Sequence, residues 1–340
     1  MTSHPIINID DLLQSTDDTP HINFHNNSNH EIIVNDLSSS ISIDHISQSI
    51  LLSSFKKKRI HFILPGGGVK GGFQAGFLYH LMSKYSHLID IAQIDGTSVG
   101  AVNGLALLSG KIQILKDNWF SISTIHDLFA PWSEAYLFGP ILSLYYAFYG
   151  MGLYNNKRLL DRLFKYTGRI LPTLSEETLS RFNCVVVNVD NAKTEYISGN
   201  HPRIFQFITA SASPWIISNP MKIDNSFYTD GGITETYPLH NVNKIDADLH
   251  IVVGCDQSHF DFQKPNFKNI GEYMATLIDI MRFNSYNTDH IKQLIDQKKV
   301  IPIVNTMKIS LADFNPASIR EGFTQGELCA EDFASIYLLH

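Results

Sequence analysis

Residues 60–72 read IHFILPGGGVKGG: a short apolar run, a proline, then five glycines in seven positions. The run IHFIL has the continuous character of a strand buried on both faces of a parallel sheet. FQAGFLYHLMSKY follows with helical spacing. Between strand and helix, ordered glycines cost conformational entropy, so the cluster needs a reason. A bare backbone can hold a phosphate, admit a cofactor, stabilise an oxyanion or simply turn.

The pattern then repeats. IDIAQID reads as a second strand, and VGAVNGLALLSG as a second helix ending on Gly110. NKRLLDRLFKY is an amphipathic helix, FNCVVVNVD and KTEYISG a strand pair, and LHIVVGCD another core strand. A helical stretch over 268–298, an apolar strand VIPIV and a final helix over 317–339 complete the chain. Alternation of this kind predicts an α/β fold, a parallel sheet with helices on both faces.

The 340 residues are 44% hydrophobic, enough for a well-buried core. Their net charge of −7 is unevenly placed. Residues 1–50 hold seven acids and no Lys or Arg, which leaves 26 acids against 26 bases in the rest. A neutral body argues against nucleic acid as a partner. Cys184, Cys255 and Cys329 are few and far apart, without metal-ligand spacing, as suits a reducing compartment or core use. The start has neither a basic n-region nor an apolar run, so no cleavable signal peptide is expected. Residues 135–156 carry no charge. Gly139, Pro140, Ser143 and several tyrosines favour a buried or partly exposed apolar helix over a membrane span, with a lipid-facing lid as the alternative. Without a clear transmembrane helix, a cytosolic or peripheral membrane location is expected. The basic run KKKR at 56–59 is either a solvated strand entrance or an attraction for an anionic membrane.

Three mechanisms compete for the glycine loop. A P-loop needs Lys and a hydroxyl after its last glycine; here Lys70 precedes Gly71, and Phe73 follows Gly72. A dinucleotide site fits the spacing of Gly66, Gly68 and Gly71, with Asp90 or Asp95 as the ribose acid. The next strand-to-helix turn shifts the balance. Residues 96–100 read GTSVG, a G-x-S-x-G pentapeptide. A nucleophile elbow places its serine there, with Gly96 and Gly100 relieving crowding; the bland alternative for Ser98 is a helix N-cap. An elbow serine needs donors for the oxyanion, and Gly66, Gly67 and Gly68 could supply them, with Val99 N–H as a further candidate. Lys70 either supports the loop and nearby negative charge or is a surface cation. A serine also needs a base. Seven histidines follow Ser98, and only His240 lies near a suggestive segment, YTDGGITETYPLH at 228–240. There Asp230 heads a turn made by Gly231 and Gly232, after the strand-like MKIDNSFY.

GGGVKG (66–71), GTSVG (96–100) and DGG (230–232), in that order, resemble the patatin-like phospholipase family. FQAGFLYHL, GAVNG, ASASPWIIS and GLYNNKRLLDRLFK agree, and FNPASIREGFTQGELCAEDF is similar to the family's closing helix. The resemblance implies a three-layer α/β/α fold with a mainly parallel central sheet and a Ser–Asp dyad without catalytic His, with Ser98 as nucleophile, Asp230 as general base and the glycine loop as oxyanion hole. Lys70, Gly71, Gly96, Gly100, Gly231 and Gly232 are its supporting motif residues. It implies hydrolysis of fatty-acyl esters of phospholipids or related lipids at a membrane surface, with no metal and no cofactor. An acyltransferase on the same site and a non-catalytic lipid-binding protein are the alternatives. One departure is that Thr236 and Tyr237 precede Pro238, where the family often has Asn. The expected organisation is an acidic, largely disordered tail (1–55), a catalytic domain (56–256) and a mainly helical C-terminal extension (257–340) packing on it.

Overall fold

The computed structural model describes residues 56–131, 154–214, 217–254, 286–307 and 312–339. The tail at 1–55, almost all of the apolar stretch at 135–156, Cys255 and most of the helical stretch at 268–298 lie outside them. Residues 54–340 make up one compact unit.

The chain enters through β1 (Lys58–Leu64), then α1 (Gly71–Tyr85), β2 (Ile89–Thr97), α2 (Val99–Leu108) and α3 (Gln113–Phe120). Two-residue strands β3 (Ala130–Pro131) and β4 (Tyr154–Asn155) pair with each other. There follow α4 (Lys157–Thr167), α5 (Glu176–Ser180), β5 (Phe182–Asn188), β6 (Lys193–Ser198) and α6 (Ile204–Ser211). Then come β7 (Met221–Ile223), β8 (Ser226–Asp230), β9 (Leu249–Val253), α7 (Tyr286–Asp296), β10 (Ile301–Ile303) and α8 (Pro316–Tyr337).

An eight-stranded sheet runs in the order β10-β9-β1-β2-β5-β8-β7, with β6 on β5. The run from β10 to β5 is parallel, as the alternation predicts. Its far side is antiparallel. MKIDNSFY, expected as one strand, is a hairpin: Asp224 takes φ 54° between β7 and β8. Asp tolerates the left-handed region better than most residues, which allows the tight turn there.

Apolar residues cover both faces of the sheet. Phe62, Leu64, Ile94, Cys184 and Val186 belong to one buried cluster with Phe73, Phe77 and Leu105 of the first two helices. Ile63 and Val252 belong to the other, with Tyr237, Leu239, Ile291 and Leu294. The C-terminal stretch supplies more than a helical cover, because β10 extends the sheet beside β9. Helix α8 lies against α1 so closely that a Cβ on Gly76 would come 1.9 Å from the Phe323 carbonyl oxygen. Residues 58 and 59 open β1 as exposed side chains. Arg59 is tied to Asp246 at 2.6 Å and to Asp90 at 3.7 Å, so its charge is balanced at the strand entrance.

The second face also carries a polar layer. His61 is fully buried, with Nε2 3.2 Å from Asp95 Oδ2 and Nδ1 2.9 Å from Nδ1 of His250. Burial, reinforced by the His61 ring, pushes the half-buried His250 imidazole down to about 4. An unfolded histidine binds its proton near pH 6.5, so between about 6.5 and 4 the unfolded chain holds more protons. Stability from this group is therefore complete above about 6.5 and is lost as the pH falls towards 4. With partial solvent screening the loss is on the order of 1 kcal/mol. Thermal melts of wild type and His250→Gln at pH 7 and pH 4.5 check this: wild type is expected to lose more stability over the interval than the variant.

Candidate active site

The sheet explains why two residues 132 positions apart meet. Strand β6 occupies one edge of β5 along its length. On the other edge β2 pairs with Phe182–Val185 and stops at Thr97, opposite Val185. Strand β8 then takes over from the opposite direction, with Asp230 opposite Val186. The ends of β2 and β8 thus converge on neighbouring residues of one strand. Ser98 Oγ donates to Asp230 Oδ2 at 2.8 Å across that junction. Both residues are 8% exposed, so they are held by protein yet touched by solvent.

Ser98 has φ 55° and ψ −125°, the strained strand-to-helix turn of an elbow. Such a conformation costs about 1–3 kcal/mol and persists only where the surroundings enforce it. It stands at the N-cap of α2 but its hydroxyl makes no capping bond, which removes the bland reading of this serine. Its N–H donates instead to Ser211 Oγ at 2.8 Å, and Ser211 donates to the Val185 carbonyl at 2.6 Å. Ser211 comes from ASASP, a string of small residues whose anchoring role has no local sequence signal. Asp230 is fixed in turn: Gly232 N–H donates to its Oδ1 at 2.7 Å, leaving Oδ2 to the serine. Its charge, after burial itself, helps keep the Cys184 thiol protonated by pushing it well above the usual range.

The glycine loop lies against the elbow. A Cβ on Gly100 would stand 1.9 Å from the Leu64 carbonyl oxygen, so only glycine lets α2 approach the end of β1 this closely. Asn103 of α2 donates to the Gly71 carbonyl and to Gln74, and accepts from Trp119; Gln74 reaches the Pro65 carbonyl. These buried amides and Trp119, which sequence reasoning did not single out, pin both ends of the loop. The donor set is narrower than the sequence allows. Gly66 N–H is already given to the Thr236 carbonyl at 3.2 Å, which takes it out of the oxyanion candidates. Gly67 and Gly68 make no such bond among the described residues. Gly68 is exposed with φ 57°. Val99 is the first residue of α2, where an N–H has no intrahelical acceptor. Helices α1 and α2 both begin here, adding two positive dipole ends. Lys70 is only 5% exposed, so the reading of a surface cation falls.

The rival roles are accounted for. Asp95 is completely buried and takes bonds from Gln93, Asn183 and Asn241, while Asp90 is paired with Arg59 and Arg181. Neither carboxylate is left for a ribose. His240 is exposed, with its ring against Tyr196 and its Nε2 beside Lys244 Nζ. Thr236 stands in the stretch where the sequence departs from the family pattern. Its hydroxyl donates to the Gly232 carbonyl at 3.2 Å.

A serine raised on a strand-to-helix elbow, a carboxylate on its hydroxyl and a glycine loop beside it define a class of α/β protein organised around the C-terminal edge of a parallel sheet. Within that class, the family model of the patatin-like phospholipases matches residues 62–242, and the chain belongs to that family. Among curated proteins it is similar to the uncharacterized protein YjjU of Escherichia coli strain K12. The two are 22% identical over 302 residues, 83% of this chain and 79% of the relative. It is also similar to the uncharacterized protein R571 of Acanthamoeba polyphaga mimivirus, 23% identical over 278 residues, 73% of this chain and 85% of that protein. Among solved structures, VipD from Legionella pneumophila matches 81% of this chain and 67% of its own, with a TM-score of 0.38 and 13% identity.

Proposed function

We propose that the protein is a lipid acyl hydrolase that cleaves fatty-acyl esters through a Ser98 acyl-enzyme. The observation that carries this reading is the 2.8 Å bond from Ser98 Oγ to Asp230 Oδ2 on a strained elbow. Membership of the patatin-like phospholipase family supports a lipid substrate.

In this scheme Ser98 Oγ bonds to the ester carbonyl carbon while its proton passes to Asp230. The carbonyl oxygen becomes an oxyanion, met by the N–H groups of Gly67 and Gly68, with Val99 as a third donor. Lys70, Gly71, Gly96, Gly100, Gly231 and Gly232 keep the loop, the elbow and the Asp230 turn in their close arrangement. The C–O bond to the leaving group breaks, and Asp230 returns the proton to the departing alcohol or lysolipid. Water then attacks the acyl-enzyme, giving a proton to Asp230, and Ser98 leaves with that proton as the fatty acid is released. Bound substrate shields this exchange from solvent, and a carboxylate acting alone is a better base there than in water. The substrate is presented at a membrane surface. Among the described residues no helix is long and apolar enough to cross a membrane.

Two measurements test this together. A fluorophosphonate probe is expected to add one adduct to the peptide holding Ser98 and none to Ser98→Ala. Phospholipid vesicles incubated with wild type are expected to release fatty acid. An unlabelled wild type that also releases no fatty acid defeats the proposal.

A further inference from the structure

A second set of contacts surrounds the reacting pair without touching it. The segment after Asp230 folds back over the site and is fastened at both motifs. Thr97, the residue before Ser98, is fully buried and donates its hydroxyl to the Glu235 carbonyl at 3.0 Å. The next carbonyl, of Thr236, takes the Gly66 N–H of the glycine loop. Glu235 N–H reaches back to the Gly231 carbonyl at 2.9 Å, closing a compact turn directly after Asp230. The Glu235 side chain is held too: Tyr196 OH donates to Oε1 at 2.5 Å and Leu239 N–H at 3.3 Å. Burial raises this carboxyl above the ordinary glutamate range, while the two donors oppose the shift.

We propose that Thr97 and Glu235 are positioning residues whose brace sets the Ser98–Asp230 separation. The inference rests on the reading of that pair as nucleophile and base. A dyad passes its proton through one short bond, with no imidazole to bridge a gap. Displacement of about 1 Å can cost on the order of a hundredfold in rate. Bonds from residue 97 to 235, and from 235 to 231, link the strand before the nucleophile to the turn after the base. They oppose sliding of β8 past the end of β2, adding to the pairing of both strands with β5.

Thr97→Val keeps the shape and deletes the hydroxyl. Its kcat for ester hydrolysis is expected to fall roughly 10- to 100-fold, with KM within about twofold. The fluorophosphonate labelling rate should fall in parallel, and Thr97→Ser should recover most of it. Tyr196→Phe, which releases the Glu235 carboxylate from the other side, should lower kcat in the same way. The double variant should be no worse than the poorer single one, because both cut one brace. A wild-type kcat in folded Thr97→Val, or a Ser variant as slow as the Val variant, overturns the brace. If Thr97→Val does not fold, Tyr196→Phe decides: wild-type kcat there overturns it. Ser98→Ala, run alongside, separates the two ideas. Full hydrolysis by Ser98→Ala sinks the proposed function itself, whereas an inert Ser98→Ala beside an unimpaired Thr97→Val sinks only the brace.

Discussion

Asp230→Asn is expected to lower hydrolysis of a lipid ester by about 10³-fold or more while leaving the fold intact. General-base assistance contributes roughly 10²–10⁴-fold, and Asp230, the proposed base, accepts the serine hydroxyl's hydrogen bond. Asparagine matches aspartate in shape and can keep the bond from Gly232 N–H through its own oxygen. What it cannot do is accept the serine proton. The loss should therefore fall on kcat, and the melting temperature should move little. His240→Ala supplies the contrast. That ring is exposed and lies against Tyr196 and Lys244, so its removal is expected to change kcat by less than about threefold. Near-total loss in His240→Ala, with Asp230→Asn within tenfold of wild type, would replace the dyad by a histidine-based mechanism.

Much of this arrangement is written in short stretches of sequence. The unbroken run IHFIL forces a doubly buried strand, and β1 is buried throughout Ile60–Leu64. GTSVG carries its own geometry, since a serine at φ 55° between glycines fits few structures other than an elbow. What escapes local reading is set by partners far along the chain. Nothing near Gly66 announces that its amide belongs to Thr236, so the glycine triplet offers three candidate N–H groups of which the folded chain has already engaged one. Lys70 reads equally well as loop support or as a surface cation, because its burial depends on the elements packed over the loop. Ser211 reads as one small residue among several, and gains meaning only when α6 delivers it to the Ser98 amide. The hairpin at Asp224 is hidden because the turn needs only two residues that also suit a strand margin. The meeting of Ser98 with Asp230 follows from β5 being shared by two strands on one edge, a property of pairing and not of any single motif.

Gly100→Ala is expected to be the most damaging single-methyl change to the fold near the site. The added Cβ would sit 1.9 Å from the Leu64 carbonyl oxygen, 2.6 Å from its carbon and 2.9 Å from the Pro65 oxygen. All three are backbone atoms, so no side chain can swing aside. Relief requires α2 to lift from β1 or the end of β1 to move. Overpacking of this kind costs typically about 1–3 kcal/mol, and backbone neighbours put this case at the upper end. A lower denaturation midpoint with an unchanged m-value would report it. Gly110→Ala is the control. It has φ 67° but nothing within 4 Å, so it carries only conformational strain, on the order of 1 kcal/mol. The displaced atoms in Gly100→Ala are those that lead into the glycine loop. Chains that still fold should therefore lose fluorophosphonate reactivity well beyond their fraction unfolded, whereas Gly110→Ala should lose none. Equal reactivity per folded molecule in both variants would mean that the loop and the elbow are not held in register by this contact.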